Sequence, residues 1–142
     1  EIDLSLRQYD VELIVLAGFL AIIPQWICAA WEKRIINVHP SLLPKHGGKG
    51  MYGIHVQESV LASKDTIAGC TVHYVSEEID GGAILAQATV PVLAHDTPEL
   101  LSLRVQQQEK ILLLESISIA SNTEVGLSIC TSTAKYVIAA FA

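Results

Sequence analysis

A chain of 142 residues is about one domain's worth, long enough to bury a real core. With 51% hydrophobic and 17% charged residues it reads as an apolar-rich globular protein, which excludes an intrinsically disordered segment. A formal charge of -6 argues against nucleic-acid binding, which normally needs a basic patch, yet it leaves room for a small anionic substrate held by local donors. The three cysteines, Cys28, Cys70 and Cys130, are odd in number and lack C-x-x-C spacing. They read as reduced thiols filling a core, so a cytoplasmic location is expected. No signal-peptide pattern opens the sequence, and no uncharged apolar run reaches the roughly 18 residues of a membrane span.

In chain order, residues 1 to 10 suggest the end of a surface helix, with Ile2, Leu4 and Leu6 as its apolar positions. Val11 to Leu16 is an apolar run broken only by Glu12, as expected of a strand covered on both faces. Ala17-Gly18-Phe19 turns the chain, and Pro24 to Trp31 suits a helix with Ile23, Trp26, Ile27 and Ala30 inward. Arg34 to His39 is the next strand, and a helix between two strands predicts a parallel βαβ pair. Lys45 to Gly53 holds four glycines in seven residues from Gly47, a loop without the glycine-lysine-serine ending of a Walker motif. It reads equally as a binding loop or a plain connector. A helix follows over about 54–63, with Val56, Val60 and Leu61 on one side. Strands over Gly69 to Val75 and Ala83 to Val90 flank a turn containing Asp80-Gly81-Gly82, in which aspartate commonly does no more than shape the connection. A long helix opens at Thr97-Pro98, or at Asp96 with Glu99 three residues on. Leu100, Leu103, Gln107, Ile111 and Leu114 trace one face of it, with Leu101, Val105 and Leu112 beside them, and it is expected to pack on the core. Leu127 to Ala142 suggests a short strand and a final apolar segment.

The stretch richest in chemistry is Asn37-Val38-His39-Pro40. Side chains alternate along a strand, so Asn37 and His39 emerge on one face at its C-terminal edge, where open α/β sheets hold ligands. A carboxamide can donate to an oxygen gaining negative charge, and histidine can trade a proton near neutral pH. Together they make half of an acyl-transfer site. The residues alone also allow a plainer reading, with Asn37 capping a loop and His39 a satisfied, half-buried side chain.

Asn37-Val38-His39-Pro40-Ser41-Leu42-Leu43-Pro44 resembles the signature of the folate-dependent formyltransferases, above all the branch that formylates glycinamide ribonucleotide in purine synthesis. The resemblance runs from about Tyr9 to Ala120, through Leu16-Ala17-Gly18-Phe19, Thr71-Val72-His73, Glu78-Ile79-Asp80-Gly81-Gly82 and Asp96-Thr97-Pro98-Glu99. It implies an α/β fold of three layers, a mostly parallel sheet with helices on both faces. It also implies that residues 1–120 are the C-terminal part of a formyltransferase domain, with 121–142 an unmatched tail. The strand, phosphate loop and helix that open a complete enzyme would then lie upstream, and an uncovered sheet edge would favour self-association unless the tail covers it.

The resemblance assigns catalysis to Asn37, His39 and Asp80, the last of which local sequence could not have brought to His39. His73 lies on a strand expected to neighbour this edge, as a supporting group or equally as a core histidine. The co-substrate implied is 10-formyltetrahydrofolate, with no metal, since the histidines lack zinc-type spacing. Its pterin end would meet Leu16, Phe19, Leu20, Ile22 and Ile23 together with Glu77, Glu78 and Ile79 of the 76 to 80 loop. Ala21 departs from the family's longer side chain, and Gln57 stands where relatives with this glycine-rich loop have histidine. His46, His55 and His95 read as surface or loop residues. Small-molecule substrates are therefore expected, with no nucleic acid and no membrane. Lys45-His46-Gly47-Gly48 lacks the arginines expected of a methionyl-tRNA formyltransferase, and Pro40 and Gly81 depart from the formyltetrahydrofolate deformylase pattern. A rival of another class is an inactive remnant that binds folate or pairs with itself.

Overall fold

A computed structural model of the chain describes residues 2–121 and 136–140. Its elements run α1 (Ile2–Gln8), β1 (Leu13–Ala17), α2 (Gln25–Ala30), β2 (Ile35–His39), α3 (Ile54–Ala62), β3 (Ile67–Tyr74), β4 (Ile84–Pro91), α4 (Pro98–Ser121) and β5 (Tyr136–Ala140). The five strands form one sheet in the order β4-β3-β2-β1-β5. Strand β1 lies parallel to β2, with Ile14 opposite Ile35, and parallel to β5 on its other side. Strand β3 is antiparallel to both β2 and β4. It alone runs against the other strands, so the sheet is mostly parallel in direction. The edge of β1 that the sequence left open is paired with β5, and the outer strands are β4 and β5.

Alternation along the strands divides the core in two. Leu13 and Val15 of β1, Ile36 and Val38 of β2, and Cys70 and Val72 of β3 join Val60 of α3 and Leu101, Val105 and Leu112 of α4. Ile14, Leu16 and Ile35 point the other way, to Ile27 and Trp31 with Leu6, Phe19 and Ile23 packed around them. This is the three-layer arrangement expected. Asn37 and His39 follow Ile35 by two-residue steps and so lie on its face, away from α4.

Two helix faces differ from expectation. Trp26 is mostly exposed, while Trp31 is buried and donates its indole N–H to Asp3 at 2.7 Å, with the Arg34 guanidinium 4.6 Å from its ring centre. On α4 the buried residues are Leu101, Val105, Leu112, Ser116 and Ile117, whereas Leu100, Leu103, Ile111 and Leu114 are each more than half exposed. Both leucine-rich stripes satisfy a helical period. A helix apolar on nearly every side leaves the choice of face to packing on β3 and β4. Thr97 caps α4, its hydroxyl accepting from the Leu100 N–H at 3.3 Å. Asp96 is engaged instead by a two-pronged contact from Arg104 at 2.6 and 2.8 Å, which holds its carboxyl below the usual range.

Cys28 and Cys70 are free and buried, in keeping with core filling. Burial pushes the Cys70 thiol up to about 12, so it is inert as a nucleophile. Cys130 lies outside the described residues, as does most of the tail. Among the described residues no helix is long and apolar enough to cross a membrane.

Candidate active site

Strand β2 ends at His39 because Pro40 cannot donate to a ladder, and the chain turns back at once. Side chains from three elements pin this turn. Gln57 of α3, which is buried, donates to the Pro40 carbonyl at 2.8 Å. Thr71 of β3 donates its hydroxyl to the Ser41 carbonyl at 2.7 Å and accepts the Leu43 N–H at 3.0 Å. Gln87 of β4 donates to the Leu43 carbonyl at 3.0 Å and to the Thr71 hydroxyl at 2.9 Å. A turn so tied holds residues 39–46 in one geometry.

Four side chains from three stretches meet there: Asn37 and His39 of β2, His73 of β3, and Asp80 of the loop before β4. The antiparallel register sets His73 directly opposite Asn37, and the Asn37 amide nitrogen lies 3.2 Å from His73 Nε2. His73 Nδ1 sits 3.0 Å from the Tyr74 carbonyl, which can only accept, so Nδ1 carries the hydrogen. Burial pushes the His73 pKa down and favours the neutral ring, whose Nε2 then accepts from Asn37. One amide hydrogen of Asn37 is thereby used, and the second has no partner among the described residues. His39 is buried and donates from Nε2 to the His46 carbonyl at 2.9 Å, which turns Nδ1 toward Asp80. Asp80 Oδ1 stands 3.6 Å from His39 Nδ1 and 3.7 Å from His73 Nε2, while Oδ2 accepts the Gly48 N–H at 2.8 Å.

Local backbone puts Asp80 there. Its φ of 55° is left-handed, a conformation that aspartate tolerates better than most residues. Two residues on, a side chain at Gly82 would run into the Tyr74 carbonyl, so only glycine lets the loop fold back against β3. The turn at Asp80 thus both shapes the connection and delivers a carboxylate to the two histidines.

The residues expected at the pterin are divided. Leu16 is buried in the core, and Phe19 and Ile23 pack partly against it. Leu20, Ile22 and Ile79 are exposed, as are Glu77 and Glu78. The loops that carry them touch: Gln25 donates to Glu77 at 2.7 Å, and the Cys28 thiol lies 3.7 Å from the Ser76 carbonyl. Ala21 is exposed beside them.

His46 lies in a loop, as expected, but not at the surface. Its side chain is only 8% exposed and sits between the Ser59 hydroxyl and Asp65, each at 2.8 Å. His55 is exposed, 3.0 Å from Glu58, and His95 is exposed as expected. The groups that sequence reasoning missed at the centre are mostly backbone: the His46 and Tyr74 carbonyls and the Gly48 N–H. Side-chain identity carries no signal for these. Among the described residues no cluster of three or more histidine, cysteine, aspartate or glutamate side chains could hold a metal.

A match to the formyl transferase family extends over residues 1–117. The chain belongs to that family. The chain is 50% identical over 112 residues to a chloroplastic phosphoribosylglycinamide formyltransferase of Arabidopsis thaliana, covering 79% of itself and 38% of that protein. Its fold is similar to the crystal structure of a phosphoribosylglycinamide formyltransferase from Anaplasma phagocytophilum, with a TM-score of 0.77 and 38% identity, covering 96% of this chain and 66% of that one. It is also similar to a formyltetrahydrofolate deformylase from Pseudomonas syringae pv. tomato, with a TM-score of 0.76 and 25% identity, covering 85% of this chain and 39% of that one. The chain therefore spans well under half the length of the Arabidopsis relative.

Proposed function

We propose that this chain carries the catalytic centre of a phosphoribosylglycinamide formyltransferase, which moves a formyl group from 10-formyltetrahydrofolate to the amine of glycinamide ribonucleotide in purine biosynthesis. The observation that carries the reading is the meeting of an Asn37 amide hydrogen that no described residue takes with His39 and Asp80, whose facing atoms are 3.6 Å apart. Greater identity to the formyltransferase structure than to the deformylase structure, 38% against 25% at nearly equal TM-scores of 0.77 and 0.76, favours an amine over water as acceptor.

In this mechanism the amine nitrogen bonds to the formyl carbon and the carbonyl electron pair moves onto oxygen. The second amide hydrogen of Asn37 donates to that oxygen, the kind of contact whose loss costs an acyl-transfer enzyme roughly 10²–10³ in rate. His39 Nδ1 takes the proton that the attacking nitrogen must lose. Asp80 stabilises the imidazolium so formed. The same proton passes to the folate nitrogen as its bond to the formyl carbon breaks, so the cycle returns His39 to its starting state. Exposed Leu20, Ile22 and Ile79, on loops held together by Gln25 and Glu77, offer an apolar wall to the pterin, with Leu16, Phe19 and Ile23 behind and Glu77 and Glu78 at the rim. The partners in this reading are two small molecules, and a reducing compartment such as the cytoplasm suits the free thiols of Cys28 and Cys70.

The test is to follow tetrahydrofolate release from 10-formyltetrahydrofolate with and without glycinamide ribonucleotide. Release that requires the amine and matches formylated product supports the proposal. Release of formate without the amine makes the chain a deformylase, and silence from folded protein makes it an inactive remnant.

A further inference from the structure

His46 is a buried histidine that the mechanism does not use, and it stands at a strained point of the backbone. Its φ is 55°, a left-handed value that costs a residue with a side chain about 1 kcal/mol or more and persists only where the surroundings enforce it. The enforcement here is visible. Asp65 accepts from His46 Nε2 at 2.8 Å, the Ser59 hydroxyl meets Nδ1 at 2.8 Å, and Lys45 fixes the other Asp65 oxygen at 2.6 Å. A hydroxyl can donate to a neutral ring or accept from a charged one, so both contacts survive in either state of His46. On the far side, the Ser41 hydroxyl donates to the Lys45 carbonyl at 2.6 Å and approaches that of His46 at 3.4 Å. A side chain at Gly47 would press on the end of the Leu43 side chain, so the chain passes close to Leu43 just after His46.

We propose that His46 is a positioning residue for His39: its ring, clamped between Ser59 and Asp65, aims its own carbonyl at His39 Nε2 and so leaves Nδ1 as the basic nitrogen facing Asp80. The carbonyl can only accept, so while the 2.9 Å contact stands the Nε2 hydrogen stays in place. Without it the remaining acceptor in contact with the ring, among the described residues, is Asp80 Oδ1, 3.6 Å from Nδ1. The neutral ring would then move its hydrogen to Nδ1 and turn its basic nitrogen away from the carboxylate. The charged and titratable groups facing His39 and the clamp are Asp80, His73, Asp65 and Lys45. The effect on turnover rests on the proposed role of His39, whereas the choice of tautomer does not.

The experiment is long-range proton–nitrogen NMR of the histidine side chains in the full chain, at a pH alkaline enough for neutral imidazoles. It compares the parent protein with His46→Gly, Asp65→Ala and Ser59→Ala. Glycine accepts the left-handed backbone without the anchor, and Ser59→Ala, the mildest change, carries the test if the other two do not fold. The expected result is His39 protonated at Nε2 in the parent and shifted severalfold toward the Nδ1 form in the variants. Where the protein turns over, kcat should fall about 10- to 100-fold with KM little changed, as for a misplaced catalytic group. An unchanged His39 tautomer in folded variants overturns the proposal, even if activity falls. A shifted tautomer in a protein without formyl transfer upholds it and removes instead the catalytic reading of His39.

Discussion

Asn37 does two things at once, and a thermodynamic cycle separates the structural one. The amide spends one hydrogen on His73 Nε2 at 3.2 Å, a bond between neutral groups on adjacent strands. Removing Asn37 alone, as Asn37→Ala, leaves that buried ring nitrogen unpaired, at a cost of about 1–3 kcal/mol. His73→Phe keeps a ring of similar size but discards the acceptor, leaving a partly buried amide that water can still reach. The bond itself is worth about 0.5–1.5 kcal/mol net, so the double variant should be less unstable than the sum of the singles by roughly that amount. Urea unfolding of the four proteins measures it. Free energies that add to within about 0.3–0.5 kcal/mol would show that the pair is not coupled and that the orientation assigned to Asn37 is wrong.

Burial holds the His73 pKa below the ordinary value of 6.5, so as pH falls the unfolded chain binds this proton first. Its share of stability is complete above about pH 6.5 and is lost progressively as pH falls toward the folded-state value; urea midpoints across that range should slope less in His73→Phe than in the parent. On α4, Leu101→Ala should cost about 2–5 kcal/mol, while Leu103→Ala, 59% exposed, should stay within about 0.5 kcal/mol in thermal or urea unfolding. Gly82→Ala forces a methyl group against the Tyr74 carbonyl and should cost about 1–3 kcal/mol by the same assays, with the Asp80 turn displaced as it relaxes.

The contrast between β2 and α4 shows what sequence can carry. Asn37 and His39 were legible because a two-residue step on a strand fixes a shared face, whatever the neighbours. Their link to His73 was not, since cross-strand register depends on how β2 and β3 pair, and Asn37 and His73 stand 36 positions apart in sequence. The resemblance supplied Asp80, whose turn residues alone pointed only to a connection. For α4 the period was legible and the face was not, because apolar residues surround the helix and packing decides between two stripes. Trp26 was expected inward and Trp31 took the buried place for a related reason: that place depends on the Asp3 acceptor and the Arg34 guanidinium, which the fold brings together. His46 was hidden because its partners lie 13 and 19 residues away on α3 and beyond it.

The most direct measurement of the central claim is the rate of formyl transfer to glycinamide ribonucleotide by the parent chain and by His39→Ala, with folate binding followed in both. If His39 moves the proton beside Asp80, kcat falls by roughly 10²–10⁴ while folate binding persists. Equal turnover by a folded His39→Ala protein would contradict the assignment and move the chemistry away from the end of β2.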